Sequence, residues 1–141
     1  MTYVLDVSVA LCWIIRRPLT PEALRLRDDY RQSIHQLIAP STFSAEAASA
    51  LTKSERQKLI PVGQARRLLA DILGDAPLLQ PYDPLLYRAT DISSQTRSGV
   101  LDCLYVALAE REHCELVTAD DKLVRNLQPH FPFVVSLASL P

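Results

Sequence analysis

The sequence predicts an α/β/α sandwich, in which a central, mostly parallel sheet is covered by helices on both faces. Three observations carry that expectation. Short β-type apolar runs alternate with helical patterns along the whole chain. The prolines fall singly between these segments, with no internal repeat and no low-complexity linker. The chain has 141 residues, of which 48% are hydrophobic. A globular chain of that size buries roughly 68–70% of its unfolded surface, so one domain spanning residues 1–141 can build its core without disulfides or metal staples.

The elements follow in order. Tyr3-Val4-Leu5 is a short β-type run ending at Asp6, and Ser8 to Ile15 is apolar nearly all round and reads as a short buried helix. Thr20-Pro21-Glu22 carries a helix-start signature, with a hydroxyl cap, a proline and an acid in the first turn. Leu37-Ile38-Ala39-Pro40 is the second strand candidate, and a small-residue helix runs from Ser41 to near Lys58. Another helix is expected from Val62 to Leu73, with Gly74 just past its end. Leu78-Leu79 is a short strand, and Asp83-Pro84 opens a helix that fades before Gly99. Leu101 to Cys114 reads as an amphipathic helix, with Leu101, Leu104, Tyr105, Leu108 and Ala109 on one stripe. Glu115 to Thr118 is a strand, Asp121 to Leu127 a short helix, and Phe133 to Val135 the last strand.

Composition excludes several function classes. Fifteen basic residues oppose 16 acidic ones, a formal net charge of −1. A broadly basic nucleic-acid-binding protein is excluded, and any polyanion contact must come from local patches or a bound cation. Met1 to Leu5 has no basic leader, and the apolar stretch to Ile15 is too short to span a bilayer. Cys12, Cys103 and Cys114 form no C-x-x-C pair; they read as buried or half-buried thiols in a reducing, cytoplasmic compartment. Only three glycines are present, so neither a dinucleotide fingerprint nor a phosphate-binding loop can be built. Ser8 lacks the setting of a nucleophile elbow. His35, His113 and His130 lie far apart in different elements.

Most acids sit on helix faces beside basic neighbours, among them Glu22, Asp28, Asp29, Glu55, Asp71 and Glu110. Four have apolar or small neighbours instead. Asp6 and Asp120 each stand between a strand and the helix after it, a place that suits a helix cap and also the carboxyl rim of a parallel sheet, where ligands bind. Glu46 shares a helical face with Phe43, Ser49 and Ala50, where an acid is expensive unless partnered. Asp102 lies in a first helical turn, where its charge is favourable by roughly 0.3–1 kcal/mol. Four acids from separate elements can meet on one rim. Clustered carboxylates repel, and protonation or a hard cation relieves them. Oxygen-only ligands select Mg²⁺ or Mn²⁺ and suit phosphate chemistry.

Four stretches carry a family likeness: Val4-Leu5-Asp6-Val7-Ser8-Val9-Ala10-Leu11, Ala39-Pro40 with Glu46, Leu101 to Glu110 around Asp102, and Leu116-Val117-Thr118-Ala119-Asp120-Asp121-Lys122-Leu123. In this order they resemble the PIN-domain nucleases, particularly the VapC-type toxins of bacterial toxin–antitoxin pairs. The resemblance implies a PIN-like sandwich with Asp6, Glu46, Asp102 and Asp120 as catalytic metal ligands for Mg²⁺ or Mn²⁺. It implies hydrolysis of RNA by a metal-activated water, leaving a 5′-phosphate. Ser8 and Thr118 match the polar positions beside the first and fourth acids. Asp121 adjoins Asp120, and the latter is favoured for the metal because it stands two residues after Thr118. The resemblance also implies a homodimer blocked by a small cognate antitoxin.

Arg16, Arg97, Lys122 and Arg125 lie beside the motif loops and are candidates to guide a phosphate backbone. Trp13 reads as core or interface. Two other readings stay open. One is a PIN-like scaffold that only binds. The other is a receiver-like Mg²⁺-binding signalling module, which requires an acid pair after the first strand where this chain has Asp6 alone.

Overall fold

A computed structural model describes residues 1–141. The chain runs β1 (Thr2–Leu5), α1 (Val7–Ile14), α2 (Thr20–Arg31), β2 (Gln36–Pro40), α3 (Phe43–Arg56), α4 (Ala65–Gly74) and β3 (Leu78–Gln80). A 3₁₀ turn at Asp83–Leu85 leads into α5 (Leu86–Thr96), followed by α6 (Val100–Glu112), β4 (Glu115–Thr118), α7 (Asp121–Leu127) and β5 (Val134–Ser136). The five strands form one sheet in the order β3-β2-β1-β4-β5. Every pairing is parallel, with Val4 opposite Ile38 on one side and opposite Leu116 on the other.

This order follows from what the strands are made of. Val4, Leu5, Leu37, Leu116 and Val117 are all buried. Continuous apolar strands need cover on both faces, which only helical crossovers supply. The chain works outward from β1 to β3, then returns to the other side of β1 for β4 and β5. The strand order thus reverses between β1 and β4, and the cleft outside the carboxyl ends at such a point is where open α/β sheets bind ligands.

Helices flank this sheet. α1 packs with α2, α3 and α4, while α6 lies on β1, β2 and β4 and pairs with α5. Trp13 is core, and its indole N–H donates to the Ala23 carbonyl at 3.0 Å, tying α1 to α2. Cys12 and Cys103 are buried and Cys114 half-buried, all three as free thiols. No helix is long and apolar enough to cross a membrane.

Several local expectations are corrected. Thr20 does not cap α2 with its hydroxyl, because Leu19 is the cap residue. That hydroxyl turns back instead, accepting from the Arg17 N–H and donating to the Cys12 carbonyl at 2.8 Å, and so closes the α1–α2 connection. α4 begins at Ala65 rather than Val62, since Gly63 adopts φ +91° in the preceding turn. Glu55 explains the shift: its carboxylate accepts from the Gly63 and Ala65 N–H groups and anchors the start of the helix. Gly74 is the last residue of α4 itself. α6 is not a one-sided stripe, for Cys103 through Ala109 are all buried while Leu101 is 52% exposed. Wedged between the sheet and α5, it buries its middle all round and leaves its two ends at the surface.

Leu116 lies at the centre of β4 with no exposed surface. Leu116→Ala should lower the unfolding free energy by about 2–5 kcal/mol. Urea denaturation followed by Trp13 fluorescence measures this, and a midpoint equal to the parent's would show that β4 is not core.

Candidate active site

Asp6 ends the central strand. Its N–H donates across to the Val117 carbonyl of β4 at 3.0 Å, and its side chain caps α1. Although only 5% exposed, this carboxylate is well partnered. Oδ2 accepts from the Ser8 hydroxyl, from the Thr118 hydroxyl at 2.9 Å and from the Ser8 N–H at 3.4 Å. The two hydroxyls are held in turn: Ser8 Oγ accepts from the Ala119 N–H at 3.0 Å, and Thr118 Oγ1 from the Asp120 N–H at 3.1 Å. All protein donors thus converge on Oδ2 and none reaches Oδ1. Burial pushes the Asp6 carboxyl up, these hydrogen bonds pull it down, and the charge of Asp120 raises it further.

Glu46 enters from the first turn of α3. Its Oε2 accepts from the Thr42 hydroxyl and the Tyr105 hydroxyl, each at 2.9 Å, while no protein donor meets Oε1. Burial raises its carboxyl, the Thr42 and Tyr105 hydroxyls lower it, and Asp6 and Asp102 raise it again. Tyr105 reads in the sequence as one more apolar position of α6. Its ring is fully buried, and a buried phenol needs a partner for its O–H. Three positions after Asp102 on the same helix, it reaches the acid of α3 instead of the core alone.

Asp102 sits in the first turn of α6, and no protein donor reaches its carboxylate. Burial, then Asp6, then Asp120 push its carboxyl up to about 6. Asp120 caps α7, with Oδ1 accepting from the Lys122 and Leu123 N–H groups. The fold therefore brings Asp6, Glu46, Asp102 and Asp120 within electrostatic reach of one another at the carboxyl rim, around the point where strand order reverses. Asp121 lies in a neighbouring recess with Arg17 and Ser8. The repulsion that raises Asp102 comes from Asp6 and Asp120.

Asp102 and Asp120 line a cleft of about 270 Å³ together with Arg97, Ser98, Lys122 and Asn126. Asn126 was not marked by the sequence. Its amide donates to the Thr96 carbonyl at 3.3 Å and to the Ser98 hydroxyl. That pair of bonds fastens the segment before α6, which carries Asp102, to α7, which Asp120 caps. Among the histidines, His113 and His130 are exposed and none belongs to this rim. No three acid, histidine or cysteine side chains form a group that holds an ion on protein atoms alone.

A family model described as PIN domain matches residues 3–126. Two solved structures share the fold. PAE2754 from Pyrobaculum aerophilum superposes with a TM-score of 0.70 at 20% identity, covering 99% of this chain and 94% of that one. VapBC2 from Rickettsia felis, bound to a DNA fragment from the promoter, gives a TM-score of 0.61 at 18% identity, covering 96% and 97% of the two chains. None of the curated proteins matches this sequence.

The raised carboxyl of Asp102 makes a signed prediction. A carboxyl that holds its proton longer in the folded chain than in the unfolded one lowers stability as pH rises between the two values. Here that window runs from the ordinary 3.8 to about 6. Without added metal, the Tm of Asp102→Asn minus that of the parent should grow as pH rises through this window and level off above it. A difference that stays flat from pH 4 to 8 would show that Asp102 is not held in a repulsive, desolvated place.

Proposed function

The chain belongs to the PIN domain family, and from that premise we propose that it is a Mg²⁺- or Mn²⁺-dependent endoribonuclease, the toxin of a toxin–antitoxin pair. Members of this family are generally nucleases, and membership removes the receiver-like reading. The observation that carries the proposal is the set of four carboxylates at the rim where strand order reverses, in which Asp6 and Asp102 repel each other and each repels Glu46 and Asp120.

The donor set fits a hard divalent cation. Oδ1 of Asp6, Oε1 of Glu46 and the Asp102 carboxylate have no protein donors. A cation relieves the repulsion among them more effectively than any surface charge does. Mg²⁺ binds through one or two carboxylates and keeps several waters, so it does not require three protein side chains to close on it. Asp6, Glu46, Asp102 and Asp120 would hold the ion. When bound, it supplies Lewis acidity to a phosphate oxygen and acidifies a water for attack on phosphorus.

The remaining work belongs to the chain. Ser8 and Thr118 fix the rotamer of Asp6 by occupying Oδ2, so Oδ1 is the oxygen presented to the rim. Thr42 and Tyr105 do the same for Glu46. Asp120 spends Oδ1 on the α7 cap and keeps its other oxygen for the site. A nucleic-acid phosphate is repelled by this rim until a cation is present.

VapBC2 supports an antitoxin partner by fold likeness. We infer further that the chain acts as a homodimer in the cytoplasm. Its three free thiols suit a reducing compartment, and the exposed apolar side chains of Val62, Leu78 and Tyr87 offer surface for protein contacts.

Purified protein should cleave RNA with Mn²⁺ or Mg²⁺, and excess EDTA should stop it. Asp6→Asn should lose more than about 100-fold in rate, beyond the loss of an outer-shell partner alone, with an unchanged circular dichroism spectrum because asparagine caps α1 as well as aspartate. Near-parental cleavage by folded Asp6→Asn, or cleavage that persists in EDTA, would refute the assignment.

A further inference from the structure

Two basic side chains share the cleft with Asp102 and Asp120 and pair with neither. Arg97 and Lys122 both line it and both are exposed. By contrast, Arg27, Arg31, Arg88 and Arg111 are engaged with acids elsewhere. Arg16 and Arg17 line a separate groove with Trp13 and Leu24, and Arg17 also borders the recess of Ser8, Asp120 and Asp121, outside the cleft that holds Asp102. Arg125 is exposed on α7 and does not line the cleft.

The backbone of Arg97 is fixed, in a conformation that Ser33, Lys58 and His113 share elsewhere in the chain. Arg97 caps the end of α5 in left-handed backbone, φ 61° and ψ 18°. A side chain there costs about 1 kcal/mol or more that glycine avoids. The segment is nonetheless held firmly. The Arg97 N–H donates to the Ser93 carbonyl at 2.8 Å, the Ser93 hydroxyl to the Ser98 carbonyl at 2.6 Å, and Asn126 grips Thr96 and Ser98 from α7. Lys122 belongs to the first turn of that same α7, where a cation gains nothing from the helix. The Asn126 clamp therefore fixes the backbone of one cation relative to that of the other. What sets Arg97 apart from the other left-handed residues is its place in the cleft, beside Lys122 and the two acids.

We propose that Arg97 and Lys122 form a seat for a backbone phosphate of single-stranded RNA, flanking the bond presented to the carboxylates. The seat rests on the nuclease reading and deepens it. It separates the two signs of charge within one cleft: the acids take the cation, and the bases take a phosphate of the strand. Arg97 suits the task because its planar fork binds phosphate oxygens in pairs. Lys122 adds a point charge. The near-neutral chain thus needs no basic surface to hold its substrate.

The test uses a fluorescein-labelled single-stranded RNA of about 20 nucleotides and the full chain carrying Asp6→Asn, with Mn²⁺ present. Anisotropy gives Kd across a series of KCl concentrations. Adding Arg97→Gly should weaken binding about fivefold or more and reduce the slope of log Kd against log [KCl] by about 0.7, the increment for one phosphate contact on a single strand. Its Tm should hold or rise, because glycine accepts the left-handed backbone. Lys122→Ala should also weaken binding and reduce the slope, Arg97→Lys should retain most of the slope, and Arg125→Ala should change neither quantity. Unchanged Kd and slope in both Arg97→Gly and Lys122→Ala overturn the seat. So does an equal loss in Arg125→Ala, which would mean diffuse attraction. If the wild type cleaves RNA with Mn²⁺ and the variants bind normally, the seat alone fails. If the wild type neither cleaves nor binds RNA, the nuclease reading fails and the seat with it.

Discussion

The carboxylate of Asp6 is the point on which the other features turn. One oxygen caps α1, accepts the Ser8 hydroxyl and accepts the hydroxyl of Thr118 at the end of β4. A single buried anion thereby joins the central strand, the helix that leaves it and the neighbouring strand. A buried charge costs several kcal/mol when unpartnered. Three donors on Oδ2 offset that cost, and their gathering on one oxygen leaves the other for chemistry. The same polar knot that makes Asp6 tolerable to the fold also makes it directional.

Around this knot, stability and chemistry pull against each other. Burial raises Asp6, Glu46 and Asp102 alike, and each acid is raised further by its neighbours. No basic side chain is paired with any of them. A sequence optimised only to fold would place an arginine here or replace an acid. The repulsion is retained, and other parts of the structure absorb it: the all-round burial of α6, the Trp13 tie between α1 and α2, and the apolar strands.

Much of the fold was legible because it follows from periodicity and punctuation. Apolar runs bounded by prolines and acids located the strands to within a residue or two, and their alternation with helices implied the parallel sheet. Asp6 and Asp120 were legible as a pair because each directly follows a strand and precedes a helix. Other features depend on distant partners and left no local trace. The Tyr105–Glu46 bond spans 59 residues, and a tyrosine on an apolar helix looks like any other core residue. The late start of α4 depends on Glu55, eight residues before Gly63. Thr20 carries a cap signature that its own hydroxyl ignores in favour of Cys12 behind it. Asn126 resembles ordinary helix surface until Ser98 is seen opposite. Charge totals misled in a similar way, since a net charge of −1 averages over a cleft in which acids and bases are sorted.

The central position of β1 has a consequence for the order of synthesis. β1 is flanked on one side by β2, made soon after it, and on the other by β4, made about a hundred residues later. Thr118 closes on Asp6 across 112 residues, a long loop whose closure entropy must be met before the contact stabilises anything. Until β4 emerges, Asp6 lacks its Thr118 partner, Asp120 does not yet exist and α7 cannot clamp the loop before α6. A nascent chain therefore lacks the finished rim for the 112 residues that separate Asp6 from Thr118. The four carboxylates meet only once β4 and the start of α7 have been made, so a chain interrupted before Thr118 carries most of the acids without the site.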